Sequence, residues 1–324
     1  MTAPSDEGSS TPVELVVYSP APANNMLHAL NQDLGRAIQQ HLQGVAATVV
    51  PVALPASINT IAELPEAEKR HHLPIVTSVD FLPARDMTGV AWHAYHRANT
   101  DLKLVAALYD VAFGVLALDT AIVSPADLKG KRIGVPPRPS SFRVISEALL
   151  RDAWGLLDDV ELVDLRPNEV VEAVATGRIH ATTWNFMSRT REGFAPLLPE
   201  LTQGRLAHWL DVSAEQIAAI NQANAFHIDG VLVPAASIRI EGADQPPASV
   251  TWLSMKQGLA AWDSTENATV ASVLQCLLAH GIDYPGLPDD LTAMLDWPAL
   301  DEAQLHPGAL AFFRRQGVAF QRGA

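Results

Sequence analysis

The chain has 324 residues, 48% of them hydrophobic and 18% charged, which supports a packed core and excludes wholesale disorder. Its 22 Lys and Arg face 36 Asp and Glu, a formal net charge of −14, unsuited to a nucleic-acid grip built on clustered cations. No apolar run approaches the ~20 residues that span a bilayer. The single cysteine, Cys276, forbids an intramolecular disulfide or a cysteine-built zinc site.

At roughly 150 residues per domain the length suggests about two domains. Residues 1–12, MTAPSDEGSSTP, are small, acidic and Ser/Pro-rich and read as a disordered lead-in. They lack the cationic stretch and apolar core of a secretory signal. As written the chain reads as cytoplasmic, and as periplasmic if a leader lies upstream and is removed.

Residues 13–19 are a short β-branched run that ends at Pro20 and Pro22, as a buried strand does. Asn24 or Asn25 is placed to cap a helix carrying Met26, Leu30, Leu34 and Ile38 at helical spacing. Residues 46–52 and 73–79 read as strands, the second after a charged loop with Glu66, Glu68, Lys69 and Arg70. Residues 102–118, a long apolar stretch with Gly114 inside, read as two strand segments and not one helix. Strand, helix, strand, helix, strand predicts an α/β fold with a mainly parallel sheet.

The same grammar then starts again. Ser124 caps a short helix with Pro125 first, Gly130 stops it, and residues 132–135 form a strand. The loop Pro136-Pro-Arg-Pro-Ser-Ser141 leads into an amphipathic helix over 142–154. A strand at 160–165, a helix capped by Asn168 and ended by Gly177, and a strand at 179–184 complete the unit. Further on come a helix at 213–222, strands and a turn over 226–240, and a strand at 250–261. A helix capped by Asp263 or Ser264 runs to His280, and shorter helices follow at 289–295 and 307–316.

Ser124-Pro-Ala-Asp-Leu-Lys-Gly-Lys-Arg-Ile-Gly-Val135 and Asn168-Glu-Val-Val-Glu-Ala-Val-Ala-Thr-Gly-Arg-Ile179 resemble segments of the type II periplasmic solute-binding proteins. The closing Leu305-His-Pro-Gly-Ala-Leu-Ala-Phe-Phe-Arg-Arg-Gln-Gly317 is similar to the end of the TAXI group, the solute receptors of tripartite ATP-independent periplasmic (TRAP) transporters. The resemblance implies two α/β lobes, residues 13–115 plus 262–324 and residues 116–261. Hinge strands at 104–118 and 258–263 would let the lobes close on a ligand. It also implies a monomeric, non-enzymatic receptor without a cofactor, which hands a small organic anion to TRAP-type membrane subunits. Three positions depart from the TAXI pattern: the loop Ser19-Pro-Ala-Pro-Ala-Asn-Asn25 is not Gly-rich, 136–141 is not of Gly-Ser-Gly type, and His180 stands where Asp is common.

Ser140, Ser141 and Arg143 open the helix after that loop, where unpaired N–H groups, the helix dipole, two hydroxyls and a guanidinium suit an anion. Arg138 is a second cationic donor. Ser19, Asn24 and Asn25 form the counterpart in the first half, suited to a polar neutral group. Thr77, Ser78 and Asp80 follow a buried strand, where open α/β sheets bind ligands. Thr183, Trp184 and Asn185 follow another, with Trp184 able to cover an apolar ligand. The ordinary alternatives are N-capping for the Ser and Asn residues, solvation for the Arg residues and packing for Trp184.

The histidines carry no His-Glu-x-x-His pattern. His71 and His72 point apart, and His93 with His96 is the only helical pair that spacing offers a metal. In the competing reading, a cytosolic decarboxylase- or dehydratase-type enzyme on the same scaffold, His180, His227 or Asp80 serves as general acid or base. A cytosolic ligand sensor is a third reading. Cys276, Trp154 and Trp297 read as core.

Overall fold

The computed structural model describes residues 12–21, 23, 26–87, 95–187, 201, 207–240, 243–280 and 291–318. The strands are β1 (Val13–Ser19), β2 (Val45–Pro51), β3 (His72–Thr77), β4 (Leu102–Ala117), β5 (Arg132–Val135), β6 (Glu161–Asp164), β7 (Ala181–Met187), β8 (His208–Leu210), β9 (Asp229–Val233), β10 (Ile238–Ile240), β11 (Ala243–Gln245) and β12 (Val250–Trp262). The helices are α1 (Met26–His41), α2 (Ala56–Ala62), α3 (Glu66–Lys69), α4 (Phe81–Asp86), α5 (Ser141–Ala148), α6 (Pro167–Ala175), α7 (Ala214–Ala223), α8 (Asn267–His280) and α9 (Pro307–Arg315). Residues 1–11, which hold nearly all of the expected lead-in, and Asn24 and Asn25 lie outside the described residues.

The main sheet runs β2-β1-β3-β12-β4-β7-β5-β6, with β8 on β4 and β9 on β12. It holds two parallel trios, β2-β1-β3 and β7-β5-β6, the βαβ halves that the sequence grammar predicts. Between them lie two long strands, β12 antiparallel to β3 and β4, and β4 antiparallel to β7. This antiparallel centre departs from the expected mainly parallel sheet. Its reason is connectivity, because a chain that leaves one trio along β4 and returns along β12 must run in opposite senses.

β4 and β12 also carry the packing. Tyr109, Val111, Leu259 and Ala261 belong to a cluster with α1 and α8, whereas Phe113, Val115, Leu253 and Met255 belong to one with α5. On the opposite face, Leu104, Ala107, Ala260 and Trp262 pack around Phe81 and Trp297, whereas Ala112, Leu116 and Trp252 pack around α6 and Trp209. Each strand thus changes core part-way along its length, between Val111 and Phe113 in β4 and between Met255 and Leu259 in β12. In β12 the register shift at Gln257/Gly258, opposite Tyr109 and Ala107 of β4, falls within that interval, and a bulge bends a strand and increases its twist.

β4 is continuous over 16 residues, not the expected two segments. Gly114 sits inside it because the Trp252 ring lies where its Cβ would be, within 2.5 Å; the glycine marks close packing, not a break. The charged loop at 66–70 is instead α3, with Lys69 buried, over the Trp262 ring and 2.6 Å from Asp101. The helix expected over 142–154 becomes α5 followed by a π-turn at Leu149–Ala153. α6 takes Arg166, not Asn168, as N-cap, with Pro167 in its first turn and the Glu169 carboxylate accepting from the Arg166 N–H at 2.8 Å. α8 begins at Asn267, beyond both expected caps, and the first of the closing helices is a 3-10 turn at Ala293–Leu295. Ser124 and Pro125 open a 3-10 turn, as expected, and the helix expected over 213–222 is α7, capped by Ser213.

His306 caps α9 from a fully buried position. Its Nδ1 accepts from the Gly308 N–H at 3.1 Å, which leaves Nε2 to donate to the Trp262 carbonyl at 3.2 Å. That tautomer is neutral, and burial lowers the pKa of His306. An unfolded-state pKa near ~6.5 then makes the unfolded chain the better proton acceptor below that pH. The stabilisation is complete above ~pH 6.5 and falls away as pH drops. Urea unfolding at pH 7.5 and pH 5.5 is expected to show a larger acid loss for wild type than for His306→Asn, which keeps a capping acceptor without titrating. Gly114→Ala is expected to cost about 1–3 kcal/mol through overpacking, read as a lower urea midpoint.

Candidate functional site

The carboxyl ends of β1, β3, β5 and β7 are where a sheet of this kind presents loops and helix N-termini. At the end of β3, Asp80 is 0% exposed, and its carboxylate gathers three hydroxyls. Thr77 donates at 2.5 Å and Tyr95 at 2.9 Å, and Ser141 at the start of α5 donates to the oxygen shared with Thr77. The Asp80–Ser141 bond joins the trio containing β3 to the helix that follows β5, 61 residues along the chain. The phenol of Tyr95 is raised well above its ordinary range by burial and by the Asp80 charge, so it remains a donor.

α5 starts here for local reasons. Ser140 has extended backbone angles suited to an N-cap, and its carbonyl accepts from the Arg143 and Val144 amides. Its hydroxyl makes no capping hydrogen bond. Among the described residues the amides of Ser141 and Phe142 meet no backbone carbonyl, as expected for the first turn of a helix. Phe142 stacks on Phe113 at 5.6 Å and touches the clusters of both trios. These contacts fix the N-terminus of α5 at the junction of the two halves.

A second polar chain runs beside it. The buried Ser19 hydroxyl accepts from Asn31 at 2.9 Å, Asn31 accepts from the Tyr109 phenol at 3.0 Å, and that phenol lies 3.4 Å from Gln257. Gln257 is the β12 partner of Thr77, so the chain abuts the Asp80 cluster. Asn185 pairs with Phe113 across β7 and β4 and is half-buried, and Thr183 shares its face. Thr183 lies 3.4 Å from the Gly134 carbonyl.

Of the residues singled out in the sequence, Thr77, Asp80, Ser140 and Ser141 come together, with Ser19, Thr183 and Asn185 on flanking strands. Ser78 is tied into the sheet, exchanging hydrogen bonds with the Lys256 backbone. Trp184 points to the opposite face from Thr183 and packs with the cluster that holds Trp252. The Arg143 guanidinium is held by the carboxylates of Glu147, at 2.6 Å, and Asp164, with the Pro136 carbonyl at 3.3 Å. Arg138 pairs with the same Glu147. Four residues of these polar clusters escaped the sequence reading: Tyr95, Asn31, Tyr109 and Gln257. The last three are polar groups inside an apolar stripe or buried strand, and that pattern was the available signal.

Neither histidine proposed for acid–base chemistry lies here. His180 precedes β7, at the other end of the strand from Asn185; its Nδ1 accepts from the Arg132 N–H at 3.0 Å, and burial with the nearby Arg132 and Lys131 charges lowers its pKa. His227 lies in a groove beside α7, 3.6 Å from Asp229. Among the described residues no group of three His, Cys, Asp or Glu side chains is placed to hold a metal; His93 lies outside them.

The comparisons with known proteins concern this framework. MatC (Rpa3494) from Rhodopseudomonas palustris with bound malate superposes with a TM-score of 0.52 at 12% identity, covering 94% of this chain and 90% of that one. The R. palustris protein Rpa4515 with adipate gives 0.51 at 14% identity, covering 95% and 96%. The periplasmic binding protein BugD gives 0.51 at 11% identity, covering 95% and 99%. The fold is that of the type II periplasmic binding proteins. A family model described as NMT1/THI5 like matches residues 85–193, the stretch from the end of α4 past β7. In this fold, the Asp80–Ser141 contact lies between the two α/β halves. Among the described residues no helix is long and apolar enough to cross a membrane.

A double-mutant cycle tests the contact. Asp80→Asn and Ser141→Ala are each expected to lower stability by about 1–3 kcal/mol, with a coupling of at least ~0.5 kcal/mol between them in urea unfolding.

Proposed function

We propose that this protein is a solute receptor, not an enzyme, which closes two lobes around a small carboxylate-bearing organic ligand. The lobes are residues 13–115 with 262–324, and residues 116–261. They hinge where β4 and β12 change core. The observation that carries the reading is the N-terminus of α5, whose Ser141 hydroxyl already donates to a carboxylate, that of Asp80. Beside it the amides of Ser141 and Phe142 and the Ser140 hydroxyl are donors that a ligand carboxylate would engage. Ser19, Thr77, Thr183 and Asn185 supply neutral polar contacts from both sides.

Arg143 takes a different part from the one its charge suggests. With Glu147 and Asp164 on its guanidinium, its charge is already compensated, and it positions the 136–141 loop against β6. Asp80 has a consequence for selectivity. Its buried carboxylate, already met by three hydroxyls, disfavours a second anion beside it, so a ligand acid rests on the Ser141 and Phe142 amides.

Malate and adipate, the ligands named for two proteins of the same fold, supply the chemical class for a first panel. Delivery to a TRAP-type membrane partner, from the periplasm, rests on the resemblance of residues 305–317 to TAXI receptors. Calorimetric titration with malate, adipate and their diamides is expected to show binding of the acids only. The double substitution Ser140→Ala, Ser141→Ala should weaken it about tenfold or more, whereas Arg143→Gln should change it less than that double substitution does. The ligand is recovered unchanged after long incubation. Equal binding of acid and diamide overturns the anion site, and turnover overturns the receptor reading.

A further inference from the structure

β9 has β12 on one side and, among the described residues, no strand on the other. The ladder shows which backbone groups face outward. In an antiparallel pair a residue's N–H and C=O point to the same side, and residues alternate between hydrogen-bonded and non-hydrogen-bonded pairs. The Thr251 N–H donates to the Asp211 carboxylate at 2.5 Å, and its carbonyl accepts from the Val212 N–H at 3.0 Å. Both groups therefore face away from β9. Leu232, the partner of Thr251, is then in a non-hydrogen-bonded pair, and its own N–H and C=O turn outward, as do those of Gly230 two residues earlier. Both residues are exposed, Leu232 by 63%.

The outward edge adjoins a groove of about 430 Å³ between β9 and α7. Its lining is apolar at Val212, Ile217 and Leu232 and acidic at Asp211 and Asp229; it holds His227, 3.6 Å from Asp229, and no Lys or Arg. A free edge supplies main-chain hydrogen bonds to an added strand, and an adjacent groove takes its alternate side chains.

We propose that β9 and this groove bind an extended segment of a partner protein in which apolar residues alternate with Lys or Arg. Charge selects this occupant over a second copy of the chain. Pairing β9 with β9 of another copy sets one acidic rim against the other, on molecules that each carry −14. A basic segment meets complementary charge instead. This inference stands apart from the solute site and does not depend on it.

The probe is a fluorescein-labelled octapeptide of alternating Val and Lys, with a Val/Glu octapeptide as control, titrated into the full chain by fluorescence anisotropy. The basic peptide is expected to bind saturably and more weakly as salt rises, and the acidic one not to bind. Leu232→Pro removes one outward N–H at a position where an edge strand tolerates proline and should weaken binding about tenfold. Asp229→Lys should weaken it without touching the backbone, which keeps the test valid if the proline variant unfolds. Hydrogen exchange at Gly230 and Leu232 should slow on binding. Absence of binding, equal binding of both peptides, protection confined to other strands, or a dimer that Leu232→Pro dissociates would each overturn the proposal.

Discussion

A strand buried on both faces has only its two edges to satisfy its backbone groups, and β4 and β12 meet that constraint largely through each other. Their pairing runs from Leu253↔Phe113 to Trp262↔Leu102, with nearly every residue of both strands buried. The remaining edges hold β3 and β9 on one strand and β7 and β8 on the other. Both trios of parallel strands are therefore anchored to one antiparallel pair. Its side chains feed all four hydrophobic clusters, and its register shift at Gln257/Gly258 lies where β12 changes core. Motion of one half against the other must pass through these strands, since they form the bulk of the covalent and hydrogen-bonded connection.

The polar cluster around Asp80 depends on that frame. Burying the Asp80 carboxylate is costly unless donors meet it, and they come from three elements: Thr77 beside it on β3, Tyr95 ahead of β4, and Ser141 on α5. Because Ser141 comes from the helix that follows β5, the satisfaction of Asp80 depends on how the two trios are set against each other.

Much of the local structure was legible in the residues. Ser124-Pro125 with Gly130 announced a short helical turn and its end, and the helix over 213–222 was expected where α7 lies. The placement of Ser140 and Ser141 at a helix start was equally plain. The role of Arg143 was half-visible, because Glu147 four residues later is a helical ion-pair partner. Asp164, which completes the compensation, comes from β6 and left no mark near position 143. Gly114 misled for a similar reason. A glycine in a strand marks either a break or a close approach, and the ring that approaches it belongs to Trp252, 138 residues away.

By itself the sequence determined the two α/β units, the turn opened by Ser124 and Pro125, and the helix N-terminus with its two serines. These signals act over about four residues or within one strand. Tertiary structure alone decided that β4 and β12 pair antiparallel at the centre, that Asp80 meets Ser141, that Trp184 faces away from Thr183, and that β9 has, among the described residues, a strand on one edge only. Each of these is a contact between segments tens of residues or more apart. Their selection depends on which buried surfaces fit together, and no local propensity encodes that fit.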